Sequence, residues 1–152
     1  CYNSGRSKIM DLDEITFKPI GRVRNPVNKS MDASFDWSVI ESEIVLDKKY
    51  SAYTSGLENF SHLLVIFWMH RPRKKNLVPL VHPMGDKTRP LTGLFASRSP
   101  HRPNPVGLKL SNLLSVKGNV IRVKGLDAIN GSPVVDIKPY QPGYDSVEPN
   151  DR

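Results

Sequence analysis

A run of seven apolar residues at positions 63–69 constrains the fold of this chain more than any other segment. The run reads LLVIFWM, and its β-branched and aromatic side chains favour a strand. Alternate side chains of a strand point to opposite faces, and here both faces would be apolar, which is typical of a central strand. The run is too short to cross a bilayer as a helix. The chain is therefore expected to fold around a buried β-strand.

Further strand-like segments, separated by turn residues, occur on both sides of this run. They lie at residues 15–24, 43–46, 91–96, 106–116, 119–124 and 134–137. The turn Lys117-Gly118-Asn119 predicts a hairpin between two of them. One short helix is expected at residues 47–57, where Ser55 and Glu58 have the spacing of a capping box. This pattern predicts a mainly β fold, a single antiparallel or mixed β-barrel with one short helix and long loops.

The charge of the chain is strongly positive and unevenly distributed. The net charge is +7 over 152 residues, a length that suits one domain. Residues 70–109 contain nine Lys or Arg and one acidic residue, Asp86. One positive face is therefore expected, which favours a polyanionic partner over an ordinary solvated basic surface. The single cysteine, Cys1, excludes a disulfide within the chain.

Residues 93–110, GLFASRSPHRPNPVGLKL, form the clearest candidate for a binding loop. Three prolines restrict the backbone and stiffen the segment. Arg98 and Arg102 can each bind a carboxylate or phosphate through two parallel hydrogen bonds, and Asn104 can pair with an adenine-like edge. The alternative is a solvated loop with a structural asparagine. The rigidity favours a site for an anion or a nucleobase.

Two other polar groups adjoin predicted strands. His70 and Arg71 follow the apolar run, where a histidine can act as a base, contact a ligand or serve a structural role. Asp136, Lys138 and Tyr140 lie in VVDIKPY. The first two share a strand face, so the ammonium would keep the carboxylate ionised, and the tyrosine ring could stack on a base. The alternative is a surface ion pair beside a packed tyrosine.

Motifs for common cofactors and metals are absent. The four histidines have no close pair, and there is no CxxC, so a zinc site is not expected. The sequence also contains no G-x-S-x-G, G-x-G-x-x-G or Walker A segment. The residues alone therefore predict a basic β-barrel that binds a polyanion, without identifying a cofactor.

Three motifs, in this order along the chain, resemble those of a known family: ENFSHLLVIFWMHR, GLFASRSPHRPNPVGLKL and LDAINGSPVVDIKPY. Across residues 20–144 the chain resembles the TsaA-like family, typified by tRNA threonylcarbamoyladenosine N6-methyltransferases, and in particular its short archaeal-type members. The resemblance implies a small barrel that forms a homodimer and binds S-adenosylmethionine (SAM) near the subunit interface. It also implies cytoplasmic tRNA modification, by methyl transfer to N6 of a threonylcarbamoylated adenosine beside the anticodon.

The resemblance also implies roles for individual residues. The matching cofactor positions are His70, Arg71, Arg98, Leu108, Leu126 and Asp127. Arg102 and Asn104 fall on the substrate side. The predicted catalytic group is Asp136, Lys138 and Tyr140, with Asp136 as the base and His70 as the alternative base. Bacterial members carry a Pro-Arg-Gln stretch where residues 30–37 here read SMDASFDW, so cofactor contacts from that region are not expected to be the same.

The sequence also predicts which residues belong to the folded domain. Residues 1–9, CYNSGRSKI, are expected to be a foreign remnant or a disordered N-terminus, and residues 10–152 a single TsaA-like barrel domain. No metal and no membrane partner are expected. Two alternatives stay open: a non-catalytic RNA-binding β-barrel, and a SAM-dependent methyltransferase with another substrate.

Overall fold

Six antiparallel strands close into a barrel in the computed structural model, which describes residues 14–71 and 76–149. The strands in chain order are β1 (Gly21–Arg24), β2 (Glu41–Leu46), β3 (His62–Trp68), β4 (Leu80–Val81), β5 (Thr92–Gly93), β6 (Val106–Lys117), β7 (Val120–Lys124) and β8 (Pro133–Pro139). The order around the barrel is β1-β2-β7-β6-β3-β8, and β8 pairs with β1 to close it. β4 and β5 form a separate ribbon. The predicted mainly β barrel is confirmed, while residues 1–9 lie outside the described residues.

Helical structure among the described residues is limited to short segments. The described residues contain one short α-helix, α1 (Pro142–Asp145). The 3₁₀ turns are Trp37–Val39, Lys48–Thr54, Leu57–Asn59, Pro83–Gly85 and Leu94–Ala96.

The barrel interior follows the two-residue period of its strands. On β3, Leu63, Val65 and Phe67 are buried and alternate with half-buried outward residues. Gly107 on β6 lies opposite Phe67, and a Cβ added to this glycine would lie 2.4 Å from the Cζ atom of that ring. A glycine is required here because the aromatic ring fills the space. The core is Val23, Ile44, Leu46, Leu63, Val65, Phe67, Ile121, Val123, Leu126, Ala128 and Val134.

Two register shifts curve the sheet. One lies between β3 and β8 at Ile66/Phe67, and the other between β6 and β7 at Leu113/Ser115. Such bulges increase the local twist and help a short sheet to close. The predicted hairpin is confirmed, since Lys117 pairs with Val120 across the turn.

Three sequence-based element predictions need correction. The first strand starts at Gly21 rather than at residue 15, because Pro19 has no N–H for the ladder. Residues 91–96 are a strand only at Thr92–Gly93, and Leu94–Ala96 turns so that Leu94 is buried. In the predicted helix at 47–57, Lys48–Thr54 is a 3₁₀ turn capped by Asp47.

The proposed capping box is also wrong. Ser55 ends the 3₁₀ turn rather than starting a helix. The next turn begins at Gly56, which has a φ of 86° and makes no side-chain cap. The left-handed backbone of this glycine breaks the helical path, so the segment forms two short turns instead of one helix.

Candidate functional site

The first half of β6 has an open edge. This strand pairs with β3 from Val106 to Asn112, but its pairing with β7 begins only at Asn112. Backbone groups between Val106 and Asn112 on that side are therefore available to other partners. Arg98 uses one of them, since its Nη2 atom donates to the Leu108 carbonyl oxygen at 2.8 Å. The open edge is the point where the binding loop meets the barrel.

Asp127 completes this cluster. It lies just after β7, next to the fully buried Leu126, in the segment that connects β7 to β8. Desolvation by neighbouring atoms raises the pKa of Asp127, although the residue is exposed, while the charges of Lys109 and Arg98 oppose the shift. Arg98, Leu108 and Asp127, three predicted cofactor residues, thus come together. Lys109 was not predicted, although its place directly after Leu108 in the same motif was a usable signal.

A cavity of about 270 Å³ adjoins the open edge. Its two lysines, Lys109 and Lys124, bring positive charge to an opening on the barrel wall. The volume lies just below the usual range for small-molecule sites, about 300–1,000 Å³. The lining residues are Ser38, His62, Lys109, Leu110, Asn112, Lys124 and Gly125.

His70 and Arg71 lie near the other end of the β7–β8 connection. The Nε2 atom of His70 is 3.9 Å from the position of a Cβ on Gly131, and Arg22 donates to the Gly131 carbonyl oxygen at 3.1 Å. Burial lowers the pKa of His70, and the charges of Arg71 and Arg22 lower it further. Ser30, in the region that departs from the bacterial pattern, donates to the Arg71 carbonyl oxygen at 3.2 Å.

Asp136 and Lys138 form an ion pair on the outer wall, with 3.2 Å between the carboxylate Oδ2 and the Nζ atom. In the strand register, Asp136 pairs with Ile66, and Ile66 pairs with Leu108 on its other side. Asp136 and Leu108 therefore lie in one row on the same face, roughly 10 Å apart at two strand spacings. The predicted base and a predicted cofactor position share a surface.

Tyr140 lies apart from this row. Its backbone N–H donates to the His62 carbonyl oxygen at 3.0 Å, and the two rings are 6.3 Å apart. His62 begins β3 and His70 lies two residues beyond its end at Trp68, and the strand alone spans roughly 20 Å. The structure does not bring Tyr140 together with His70.

The two predicted substrate residues stand on the proline-stiffened loop. The Nη1 atom of Arg102 donates to the carbonyl oxygens of Leu94, Ser97 and Ser99 at 3.4, 2.8 and 3.3 Å. Asn104 is exposed, and its carbonyl oxygen accepts a hydrogen bond from the Val106 N–H at 2.7 Å. Arg102 thus holds the loop in shape, while the side chain of Asn104 faces solvent.

Neither a helical membrane span nor a metal-binding cluster is found in the described part of the chain. None of its helices has the length and apolar character needed to cross a membrane. Within residues 14–71 and 76–149, no group of three or more His, Cys, Asp or Glu side chains is arranged to hold a metal ion.

Known proteins resemble this chain in both sequence and structure. Residues 32–146 match the family model of the tRNA-methyltransferase O N-terminal domain. A probable S-adenosyl-L-methionine-binding protein of Methanothermobacter thermautotrophicus is 44% identical over 136 residues, which cover 88% of this chain and 96% of that protein. The tRNA (adenine(37)-N6)-methyltransferase of Escherichia coli is 35% identical over 147 residues, covering 90% of this chain and 62% of that protein.

The crystal structure of TrmO from Pseudomonas aeruginosa supports the same relationship. It superimposes with a TM-score of 0.72 at 26% identity, covering 94% of this chain. The chain spans 62% of the length of that structure, so the longer bacterial proteins contain sequence beyond the shared barrel. The resemblance inferred from the three motifs is confirmed: this chain belongs to the family of the tRNA-methyltransferase O N-terminal domain.

Proposed function

We propose that this chain is a SAM-dependent methyltransferase that modifies N6 of a threonylcarbamoylated adenosine beside the tRNA anticodon. At the coarser level of a SAM-dependent tRNA methyltransferase, the sequence-based prediction is confirmed by the family and by the names of its relatives. The observation that carries the proposal is the convergence of Arg98, Leu108 and Asp127 at the open edge of β6. The requirement for a threonylcarbamoyl group and the roles of individual residues are part of this proposal.

The chemistry of this cluster fits SAM. The cofactor carries an adenine, ribose hydroxyls, a carboxylate and an ammonium. The Leu108 carbonyl and the Asp127 carboxylate can accept hydrogen bonds from amine and hydroxyl groups, while Arg98 and Lys109 can bind the carboxylate. The remaining proposed cofactor contacts are His70, Arg71 and Leu126.

The row from Leu108 to Asp136 supports a mechanism on the outer wall. Bound SAM supplies a methyl group carried on a sulfonium cation. The target nitrogen bears an acyl-type substituent, so it is a poor nucleophile until its proton is removed. Asp136 is the proposed base, and its ion pair with Lys138 orients the carboxylate. Correct alignment of the two reacting groups supplies most of the remaining rate enhancement.

The other residues have supporting roles in this proposal. His70 is the alternative base, because its lowered pKa leaves the imidazole neutral at pH 7. Tyr140, which directly follows β8, stays in the proposed group with Asp136 and Lys138, and its ring is assigned to stack on the substrate base. Asn104 presents an exposed amide to the substrate, and Arg102 acts there through the loop that it braces.

Two features support a homodimer with the site at its interface. The outer wall formed by β3 and β6 is apolar, with Leu108 and Leu110 each more than 40% exposed. The cavity beside it is small for a complete cofactor site. A second copy covering this wall would bury the leucines and enlarge the site. We place the protein in the cytoplasm, with tRNA as its partner, held in part by the basic segment 71–89.

A paired measurement tests the proposal. Calorimetric titration with SAM is expected to give saturable binding, and methyl transfer is expected only to tRNA that carries the threonylcarbamoyl group. Equal transfer to tRNA without that group would favour another substrate. Absence of SAM binding would leave a non-catalytic RNA-binding barrel.

The Asp136→Asn variant tests the proposed base. The amide cannot accept the proton, so turnover is expected to fall by about 100-fold or more, while the affinity for SAM stays nearly unchanged. The exposed ion pair contributes little to stability, so the variant should remain folded. Unchanged turnover would remove Asp136 from this role and direct attention to His70.

A further inference from the structure

Phe95 is an aromatic side chain held out into solvent by a hydrogen-bonded turn. It is 79% exposed, yet the residue before it, Leu94, is buried. The Leu94 N–H donates to the Pro79 carbonyl oxygen at 2.9 Å, and the Ser97 N–H donates back to the Leu94 carbonyl oxygen at 3.2 Å. The turn is therefore anchored at both ends, and the exposed ring has a stable base.

Arg102 supports the ring from the other side of the loop. Its Cζ atom lies over the ring of Phe95, 5.7 Å from the centroid. The same guanidinium is fixed by the carbonyl oxygens of Leu94, Ser97 and Ser99. An arginine with these backbone partners loses little additional freedom when it packs on an aromatic ring. The pair is therefore organised before any partner binds.

We propose that Phe95, backed by Arg102, is a stacking platform for an unpaired nucleobase of the tRNA substrate. Single-stranded RNA bases stack on aromatic rings and on arginine planes, and every base offers a suitable face. Phe95 precedes Arg98 by three positions in the loop that reaches the open edge of β6. A base stacked there would hold the anticodon loop beside the candidate cofactor cluster. This inference rests on the proposed function and adds a specific substrate contact to it.

Charge favours RNA over a protein partner at this ring. Residues 70–109 carry nine basic residues and one acidic residue, and a second copy of the chain has the same net charge of +7. A polyanion is attracted to such a surface, whereas a second copy docking here would bring two basic segments together, unlike a second copy on the apolar wall of β3 and β6.

The test measures stacking without requiring catalysis. The probe is a short RNA stem-loop with the anticodon-loop sequence and fluorescent 2-aminopurine at one loop position at a time. Wild type is expected to quench the fluorescence at one position or two neighbouring positions. Phe95→Ala should abolish this quenching and weaken binding of the stem-loop by roughly 5- to 150-fold, as expected for the loss of one stacked base.

Two substitutions separate stacking from simple apolar contact. Phe95→Trp should retain both the quenching and the affinity, because the indole also stacks. Phe95→Leu should behave like Phe95→Ala, because leucine is apolar but has no π face. Tyr53→Ala is the matched control, since Tyr53 is also 79% exposed but lies in the turn after β2, and it should bind like wild type.

Other results would overturn the inference. Wild-type affinity in Phe95→Ala, or full retention in Phe95→Leu, would exclude stacking. Conversion of the protein to a monomer by Phe95→Ala, with stem-loop affinity unchanged, would assign the ring to a protein interface. SAM titration of wild type and of each variant keeps the two proposals distinct. Failure of wild type to bind SAM rejects the methyltransferase proposal, whereas base stacking on Phe95 is judged from the fluorescence quenching alone.

Discussion

Two halves of the outer barrel wall differ in chemistry although they share one sheet. The wall of β1, β2 and β7 carries cross-strand ion pairs, Arg24 with Glu43 at 2.9 Å and Arg122 with Glu41. The wall of β3 and β6 instead carries apolar side chains in facing rows. Its outward residues are Leu64, Ile66, Trp68, Val106, Leu108 and Leu110.

The difference indicates which half faces water. Exposed cross-strand ion pairs keep a sheet soluble and contribute little to stability. A contiguous apolar wall on a small protein usually marks an interaction surface. The β3 strand is thus apolar on both faces for two reasons. Its inner face packs in the core, and its outer face is proposed to form part of the dimer interface. The candidate cofactor edge and Asp136 border that second surface.

The largest expected effect comes from placing a charge on the apolar wall. Leu110→Glu should weaken the dimer by at least about 100-fold, because the carboxylate would be buried against the apolar wall of the second copy. The monomer should stay folded, because Leu110 is 42% exposed on the isolated chain. Sedimentation velocity over a concentration series measures the change. Glu43→Gln, which removes the Arg24 ion pair from the charged wall, is the control and should leave association unchanged.

An intermediate effect is expected on the inner side of the same wall. Gly107→Ala should lower the free energy of unfolding by about 1–3 kcal/mol, because the added methyl group overlaps the buried ring of Phe67. Val106→Ala, one residue away on the outer face, should cost less. Urea unfolding of both variants, at a concentration where sedimentation shows a monomer, makes the comparison. Equal losses would contradict the distinction between the two faces.

The smallest effect concerns the point where the two walls meet. His70 follows β3, Arg22 comes from β1, and Gly131 lies close to both. The pKa of His70 is lowered from 6.5, so between that value and its folded value the unfolded chain binds more protons. The stabilising contribution is therefore complete above pH 6.5 and is lost as the pH falls below it.

His70→Gln should flatten this acid-side dependence. Thermal unfolding from pH 8 to pH 5 is the measurement, with the shape of the curve as the readout. Above pH 6.5 the two curves should run parallel, because the imidazole is neutral in both the folded and the unfolded state. A variant that keeps the wild-type slope below pH 6.5 would show that another group causes it.

Strand positions were the most predictable part of this fold. The run at 63–69 and the hairpin of β6 and β7 were located to within one or two residues, because their apolar period and turn residues are local. The prediction of a strand over the whole of residues 91–96 failed because burial of Leu94 outweighed strand propensity.

The candidate site could be predicted less well than the strands. Its residues came from motif resemblance, and the position of Lys109 beside Asp127 became visible only in the folded chain.

Local patterns in the sequence determined the strands, the positive charge of the central segment, and the motifs that reveal the family. Only the tertiary structure decided that the first half of β6 has no strand partner on its β7 side, that Arg98 reaches Leu108, and that Tyr140 lies far from His70. The reason is physical. A strand is encoded by alternation over a few residues, whereas neighbours around a closed barrel depend on how distant segments satisfy their hydrogen bonds together.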